Sequence, residues 1–330
     1  MEKPSLDTAK AGAIRFNTDL SQLEIYDGNQ WTVILATSPD IQTGGTRGMQ
    51  FAGEAPTYHN TFFNIGATGN AASFGSFASN RFFASACASR TRAIVDSGES
   101  SMTNREFFTI ASAGGGTSFG SCYNHRSATA FSSATRGVFG GGNDFSTYGI
   151  NTIEYVTISS EGSGIDYGDL VYKAQSAGGF SDQTRGVFCG EYSPHDKTSH
   201  FLTISTGGTT ADFGELTDHV RFNGACSNST RGISGGGYHP SSPNKTNIMQ
   251  FCTIQTLGDF LDFGDLTEVR SLLAAASSST RAVFFGGQTP SKVNTMDYVQ
   301  FASVGDAFDF GDLTASYYTS GGTSNGHGGL

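Results

Sequence analysis

The stretch Arg281-Ala282-Val283-Phe284-Phe285-Gly286-Gly287 decides the fold. It is short, nearly all apolar and closed by two glycines, which suits a strand buried on both faces. A polar loop follows, and then Met296-Asp297-Tyr298-Val299-Gln300-Phe301 alternates like a half-exposed strand. Val304-Gly305-Asp306 turns the chain into a third strand, Phe308-Asp309-Phe310-Gly311-Asp312-Leu313. A fourth, Ser271-Leu272-Leu273-Ala274-Ala275-Ala276, stands just before the Thr280-Arg281 pair that opens the unit.

The same grammar runs through most of the chain. Thr-Arg pairs at Thr46-Arg47, Thr91-Arg92, Thr135-Arg136, Thr184-Arg185, Thr230-Arg231 and Thr280-Arg281 recur at intervals of 44 to 50 residues. An aromatic-Gly pair keeps step with them: Phe74-Gly75, Phe119-Gly120, Tyr167-Gly168, Phe213-Gly214, Phe263-Gly264 and Phe310-Gly311. Two independent markers in register through six units exclude chance. In every unit the strand before the Thr-Arg pair is rich in Ala, Gly and Ser, as the innermost strand of a crowded propeller blade must be. Four short strands per unit and no helical pattern predict an all-β fold, a six-bladed β-propeller over residues 46–330.

Counting strands predicts how the ring closes. The first unit begins at its second strand, Arg47 onward, and the last has a spare strand near Ala315-Ser316-Tyr317-Tyr318-Thr319-Ser320. Pairing the two removes both open sheet edges. Residues 1–45 read differently, as three short strands (Ala13–Asn17, Leu23–Tyr26, Trp31–Ile34) with turn signals at Asn17-Thr18-Asp19 and Asp27-Gly28-Asn29. So small a meander cannot bury enough surface alone. It is expected to lean on copies of itself, on the propeller or on another protein, through Ile14, Phe16, Leu23, Ile25, Tyr26 and Trp31.

Composition narrows the function. With 45 Gly and 27 Phe in 330 residues and few charges, the chain is neither disordered nor collagen-like. No apolar run is long enough to span a membrane, so membrane insertion is not expected, and Met1–Asp7 lacks the apolar core of a secretion signal. A net charge of −10 argues against nucleic acid as a partner. Cys87, Cys122, Cys189, Cys226 and Cys252 are odd in number and lack a Cys-x-x-Cys pair, so they read as small buried apolar residues.

The six arginines (Arg47, Arg92, Arg136, Arg185, Arg231, Arg281) invite reading as a ring of anion ligands. Because they recur in every unit, the structural reading is preferred: each pairs with acids or turn carbonyls of its own blade, with Asp169, Glu215, Asp265 and Asp312 as candidate partners. The loops between second and third strands share one face with the crossovers between blades. Tyr58, His59, Tyr148, Tyr192, His195, Tyr238 and His239 fall there, stiffened by Pro56, Pro194, Pro240, Pro243 and Pro290, and form a candidate receptor-binding face for a glycan or protein. No His pair has ligand spacing and no carboxylate cluster accompanies one, so no metal and no cofactor are expected. No catalytic residue is expected: acids such as Asp259 and Asp262 recur at blade turns, where they cap turns.

Units of this length with Gly-Gly after the second strand (Gly140-Gly141, Gly235-Gly236, Gly286-Gly287) resemble the kelch family, although the outer-strand Trp of that family is missing from all six. Gly12-Ala13-Ile14-Arg15-Phe16-Asn17-Thr18, Leu23-Glu24-Ile25-Tyr26-Asp27-Gly28 and Gln30-Trp31 resemble a short module of bacteriophage tail-fibre and other virion proteins. Asp262-Phe263-Gly264-Asp265-Leu266-Thr267 with Ser278-Ser279-Thr280-Arg281 resembles propeller-like structural proteins of tailed phages, notably cyanophages. The resemblance implies a virion protein assembled in the host cytoplasm. It implies a homotrimer formed through the N-terminal module, which docks on other virion proteins. A tail fibre or adhesin is the leading expectation. A capsid, neck or tail decoration protein is the alternative, and a glycan-cleaving enzyme stands behind both.

Overall fold

The computed structural model describes residues 10–17, 22–33, 45–51, 53, 59–77, 81–98, 103–144, 146, 149–191, 197–239, 244–318 and 321–330. Among these residues the chain is all-β, without a helix, and it divides into two compact units, Met1–Ile41 and Gln42–Leu330.

In the first unit Ile14–Asn17, Gln22–Tyr26 and Trp31–Val33 form an antiparallel sheet in that order. The register sets Ile14 opposite Ile25 and Phe16 opposite Leu23, so these four side chains share one face. Ile14, Phe16 and Leu23 are 60%, 61% and 41% exposed there. The other face is closed by polar and aromatic contacts. Arg15 Nε donates to Glu24 at 2.7 Å and its guanidinium lies 4.1 Å from the Trp31 ring centre. Trp31 in turn packs on the buried Tyr26, with ring centres 5.4 Å apart. The Asp27 carboxylate accepts the N–H groups of Asn29 and Gln30 at 2.8 Å, which fixes the Asp27-Gly28-Asn29 turn.

The second unit holds six antiparallel sheets in a propeller-like arrangement, five of four strands and the sixth with an added two-residue strand, Gln288–Thr289. From innermost to outermost, the first sheet is Gly321–Ser324, Arg47–Phe51, His59–Asn64 and Ala72–Ser76. The second is Ala86–Ala88, Arg92–Val95, Asn104–Thr109 and Thr117–Ser121. The third is Thr129–Ser132, Arg136–Gly140, Ile150–Thr157 and Ile165–Ala174. The fourth is Gly178–Ser181, Arg185–Cys189, Thr198–Thr203 and Ala211–Glu215. The fifth is Gly224–Ser227, Arg231–Gly237, Thr246–Thr253 and Leu261–Asp265. The sixth is Ala274–Ser277, Arg281–Phe285, Ser291–Gln300 and Phe308–Tyr317. Each innermost strand lies against the next one in this series, and that of the first sheet also lies against that of the sixth. Apolar clusters fill the space between neighbouring sheets, for example Phe263 and Met249 of the fifth with Phe284 and Val299 of the sixth.

Two expectations need correction. The strand that pairs with Arg47–Phe51 is Gly321–Ser324, in the register Gly321 to Phe51 and Ser324 to Gly48. It is not Ala315–Ser320: Ala315, Ser316 and Tyr317 continue the outer strand of the sixth sheet, and Tyr317 pairs with Val293. The outer strand runs on because Ser291–Gln300 is itself long enough to partner it.

The second correction concerns the arginines, whose acceptors lie one sheet further on. Arg47 Nη1 donates to Ile110 O, Arg92 to Ile158 O, Arg136 to Ile204 O, Arg185 to Ile254 O, Arg231 to Phe301 O and Arg281 to Ile65 O, at 2.5 to 3.4 Å. On the way each guanidinium crosses an aromatic ring of its own third strand (Phe62, Phe107, Tyr155, Phe201, Phe251, Tyr298) at 4.1 to 4.8 Å. The extended side chain spans the sheet-to-sheet gap, and the carbonyl that ends the neighbouring third strand is the acceptor it meets. Asp169, Glu215, Asp265 and Asp312 stay exposed. Asp259 and Asp306 do cap backbone, accepting the N–H of Glu215 and Asp265 in the preceding sheet.

The aromatic-Gly pairs stitch the outer edge. Gly75, Gly120, Gly168, Gly214, Gly264 and Gly311 all have φ between 125° and 155°, a region closed to other L residues. A Cβ on Gly264 would stand 2.5 Å from Gly305 O in the sixth sheet. The preceding carbonyl, Phe263 O, accepts Gly305 N–H at 2.7 Å, and Phe310 O accepts Gly69 N–H of the first sheet at 2.8 Å.

Candidate functional site

Antiparallel pairing sends the crossovers between sheets and the loops between second and third strands to one face. Short bridges tie them together there: Arg126 with Asn143, Arg221 with Tyr238, Ser271 with Gln288. Of the candidate binding residues, Tyr58, Tyr148, Tyr192 and His195 lie outside the described residues. His59 is exposed at the start of its strand. Tyr238 and His239 are brought together with three residues of the crossover between the fourth and fifth sheets that the sequence did not single out.

That cluster is ordered by its backbone. Tyr238 N–H donates to Arg221 O at 2.7 Å and Arg221 N–H returns the bond to Tyr238 O at 3.2 Å. This pairing stacks the Arg221 guanidinium 4.4 Å from the Tyr238 ring centre. His239 Nε2 lies 3.0 Å from Asp218 Oδ1, which also accepts the His219 N–H at 2.8 Å. The His219 ring meets that of His239 edge-on, with centres 6.2 Å apart. The result is a half-exposed patch with an aromatic face, a guanidinium, two imidazoles and a carboxylate, suited to stacking a sugar or peptide while hydrogen-bonding its rim.

The axis carries a second feature. At the mouth on the crossover face, Phe83, Ser127, Ser176, Phe222 and Leu272 occupy one equivalent position, and all have φ of 56° to 60°. Bulky residues adopt that region only under constraint. Here the constraint is a chain of backbone bonds from one crossover to the next: Ser127 N–H to Phe83 O, Ser176 to Ser127, Phe222 to Ser176 and Leu272 to Phe222, at 2.8 to 2.9 Å. A cavity of about 90 Å³ lies at the mouth itself, and cavities of about 100 and 40 Å³ follow the innermost strands below it.

The far end of this well is closed by the segment after the last strand. Ser132, Ser181, Ser227 and Ser277 end their innermost strands, and each hydroxyl donates to the carbonyl of the equivalent residue in the preceding sheet (Ala88, Ser132, Ser181, Ser227) at 2.7 to 2.8 Å. Ser324 donates likewise to Ser277 O. Only Ala88 lacks the hydroxyl, and its carbonyl, which already accepts from Ser132, also meets His327: Nε2 lies 2.8 Å from Ala88 O and Nδ1 accepts Gly329 N–H at 3.1 Å. This pairing assigns the neutral Nε2–H tautomer, and burial holds the imidazole at about 4, below its usual value. Gly328 N–H donates to Ser227 O at 2.8 Å and Leu330 is buried. Sequence reading missed this closure, although the recurring strand-final serine was visible.

Cysteine chemistry is quiet. Cys87, Cys189, Cys226 and Cys252 are buried as expected, and burial pushes the thiols of Cys87 and Cys189 up to about 12. Cys122 is half-buried beside Asp96 and His125, and these three alone among the described residues group as ligands for a metal ion. No helix among the described residues is long and apolar enough to cross a membrane. No known protein family matches the sequence, and no curated protein matches it.

Proposed function

We propose that the chain is a non-enzymatic virion protein of a tailed phage, a tail fibre or adhesin that displays a closed six-bladed, kelch-type propeller. The observation that carries a binding role is the unlike character of its two faces. One gathers Tyr238, His239, His219, Asp218 and Arg221 beside the crossover between the fourth and fifth sheets, while the other carries short turns and, among the described residues, is closed by His327–Leu330. Closure of the ring is supported by the pairing of Gly321–Ser324 with Arg47–Phe51 and by the six guanidinium contacts, the last of which returns from Arg281 to the first sheet. Docking on other virion proteins, and trimer formation, rest on the exposed Ile14, Phe16 and Leu23 of the N-terminal sheet. The ligand expected at the crossover face is a glycan or protein of the host surface.

Two experiments test this reading. Fluorescently labelled full chain should decorate host cells and block phage adsorption, and Tyr238→Ala with His239→Ala should remove both effects. Labelled protein that ignores the cells would remove the receptor role. A specific observation favours the second reading, a decoration protein. Leu257, Leu261, Val304 and Phe308 on the fifth and sixth sheets are 57% to 66% exposed and offer an apolar surface for packing against neighbours. Immunogold labelling of intact particles separates the two: gold at fibre tips supports the adhesin, gold over the capsid or neck the decoration role.

A further inference from the structure

Three departures from the repeat meet at one point between the second and third sheets. Asp96 stands four residues after Arg92, where the other units have Phe51, Gly140, Cys189, Gly235 and Phe285. Cys122 stands three residues after Phe119, where the others have Phe77, Leu170, Leu216, Leu266 and Leu313. His125 stands two before the left-handed Ser127, a place held in other crossovers by Arg81, Ala174, Val220 and Arg270. Each change alone replaces a residue that builds the sheet. Their convergence is what a repeat departs from its own pattern to achieve.

The ligand atoms of Asp96, Cys122 and His125 all lie within 4.8 Å of one another. His125 Nε2 is 2.6 Å from Asp96 Oδ2, and its Nδ1 is buried with no hydrogen-bond partner. The Cys122 thiol is hydrogen-bonded to the Asp96 carboxylate. The other carboxylate oxygen, Oδ1, lies 2.7 Å from Arg105 Nε, and Arg105 Nη2 binds Glu154 at 2.7 Å. The two oxygens of the buried Asp96 carboxylate are thus divided, Oδ1 facing Arg105 and Oδ2 facing His125.

We propose that Asp96, Cys122 and His125 bind one divalent cation of the zinc type. Thiolate sulfur, imidazole nitrogen and a single carboxylate oxygen form a donor set for Zn²⁺, Co²⁺ or Ni²⁺ and a poor one for Mg²⁺ or Ca²⁺. The charges balance: the Cys122 thiolate and Asp96 together offset the ion, while Arg105 and Glu154 offset each other. Binding at Nε2 moves the ring proton that faced Oδ2 to Nδ1, which keeps the imidazole neutral, and the Cys122 thiol proton leaves to solvent, as the half-buried position of Cys122 permits. Tetrahedral bonds of about 2.0–2.3 Å require the Nε2 to Oδ2 separation to open by roughly 1 Å or less. Arg105 stays on Oδ1 and orients the carboxylate, the part an outer hydrogen bond plays at metal sites. The fourth position falls to water. The ion would clamp the crossover after the second sheet onto the end of that sheet's second strand.

Cobalt(II) alone, added to chelator-treated full chain, tests the site. The expected result is a thiolate-to-cobalt charge-transfer band that saturates at one equivalent and is bleached by Zn²⁺. Cys122→Ser should abolish the band and Cys252→Ser should leave it unchanged. His125→Asn and Asp96→Asn should weaken cobalt binding by roughly tenfold or more. Zn²⁺ should also raise the melting temperature of the wild type and leave that of Cys122→Ser unmoved. Folded wild-type protein that shows no band, or a band that survives Cys122→Ser, overturns the proposal whatever the variants' stability.

Discussion

Arg231 shows how one side chain joins two sheets. Its guanidinium stacks 4.8 Å from the Phe251 ring of its own sheet and donates to Phe301 O of the next at 2.7 Å. A partly buried stack and a charged hydrogen bond are each worth about 1–2 kcal/mol, so Arg231→Ala should cost about 2–3 kcal/mol. Arg231→Lys should recover less than half, since an ammonium cannot stack and donate in one geometry. Urea denaturation checks both. Glu191 makes a pH prediction at the same scale. It stands where five units have Gly, it is fully buried, and burial pushes its carboxyl from 4.5 up to about 8. The folded protein holds this proton where the unfolded chain has released it. Stability from this group is therefore full below about pH 4.5 and falls as pH rises toward about 8, with no further loss beyond. Glu191→Gln should melt higher than wild type at pH 8.5 and show a flatter melting profile between pH 5 and 8. Equal slopes would exclude Glu191 as the cause. Of these residue roles, the sequence made the six arginines conspicuous but could not name their acceptors, because a backbone carbonyl in another sheet carries no letter. Glu191 was legible only as an interruption of a glycine position.

At the scale of the element, each hairpin before a second strand is held by one polar side chain. Ser89, Ser133, Asp182, Asn228 and Ser278 accept the N–H of the arginine three residues on, at 2.7 to 3.2 Å. The first sheet has no such hairpin, and Asn325 Oδ1 accepts Arg47 N–H at 3.0 Å in its place. Asn325→Ala should cost about 1 kcal/mol in thermal or urea unfolding, the same order as Asn228→Ala, because the two side chains do one job. A far smaller effect at Asn325 would mean that the closing strand ends loosely. Strand existence in the repeats was readable because the Thr-Arg and aromatic-Gly markers bracket each strand. The closing strand was placed six residues early because Ala315-Ser316-Tyr317 carries the same small-residue composition, and its true partner, Val293, is set by strand length and not by letters. The N-terminal sheet makes its own prediction. If the proposed trimer forms through this sheet, Phe16→Glu with Leu23→Glu should lower the mass seen by light scattering from three chains to one, with the melting of the larger unit unchanged.

Across the whole molecule, the six sheets share three sets of contacts: guanidinium to carbonyl, outer glycine to glycine, and serine hydroxyl to carbonyl around the axis. The first two sets pass through all six joins and the serine set through five, breaking at Ala88, so stability is spread over the repeat and depends on the join between first and last. The His327 plug rests on that join, because Asn325 holds the chain beside Arg47 before it turns inward. Repetition made this level the most legible, since the markers recur six times. The candidate site was the least legible: four of its seven loop residues lie outside the described residues, and Asp96, Cys122 and His125 converge from separate segments of the chain. Of the three, only Cys122 and His125 are close in sequence, a spacing that the sequence reading did not single out. The central claim, that the C-terminal strand completes the sheet begun at Arg47, is tested most directly by a disulfide across that pair. Met49→Cys with Thr323→Cys, oxidised and mapped by peptide mass spectrometry, should give one intrachain link between residues 49 and 323 in nearly every molecule. Two free thiols at these positions, or links formed only between chains, would contradict it.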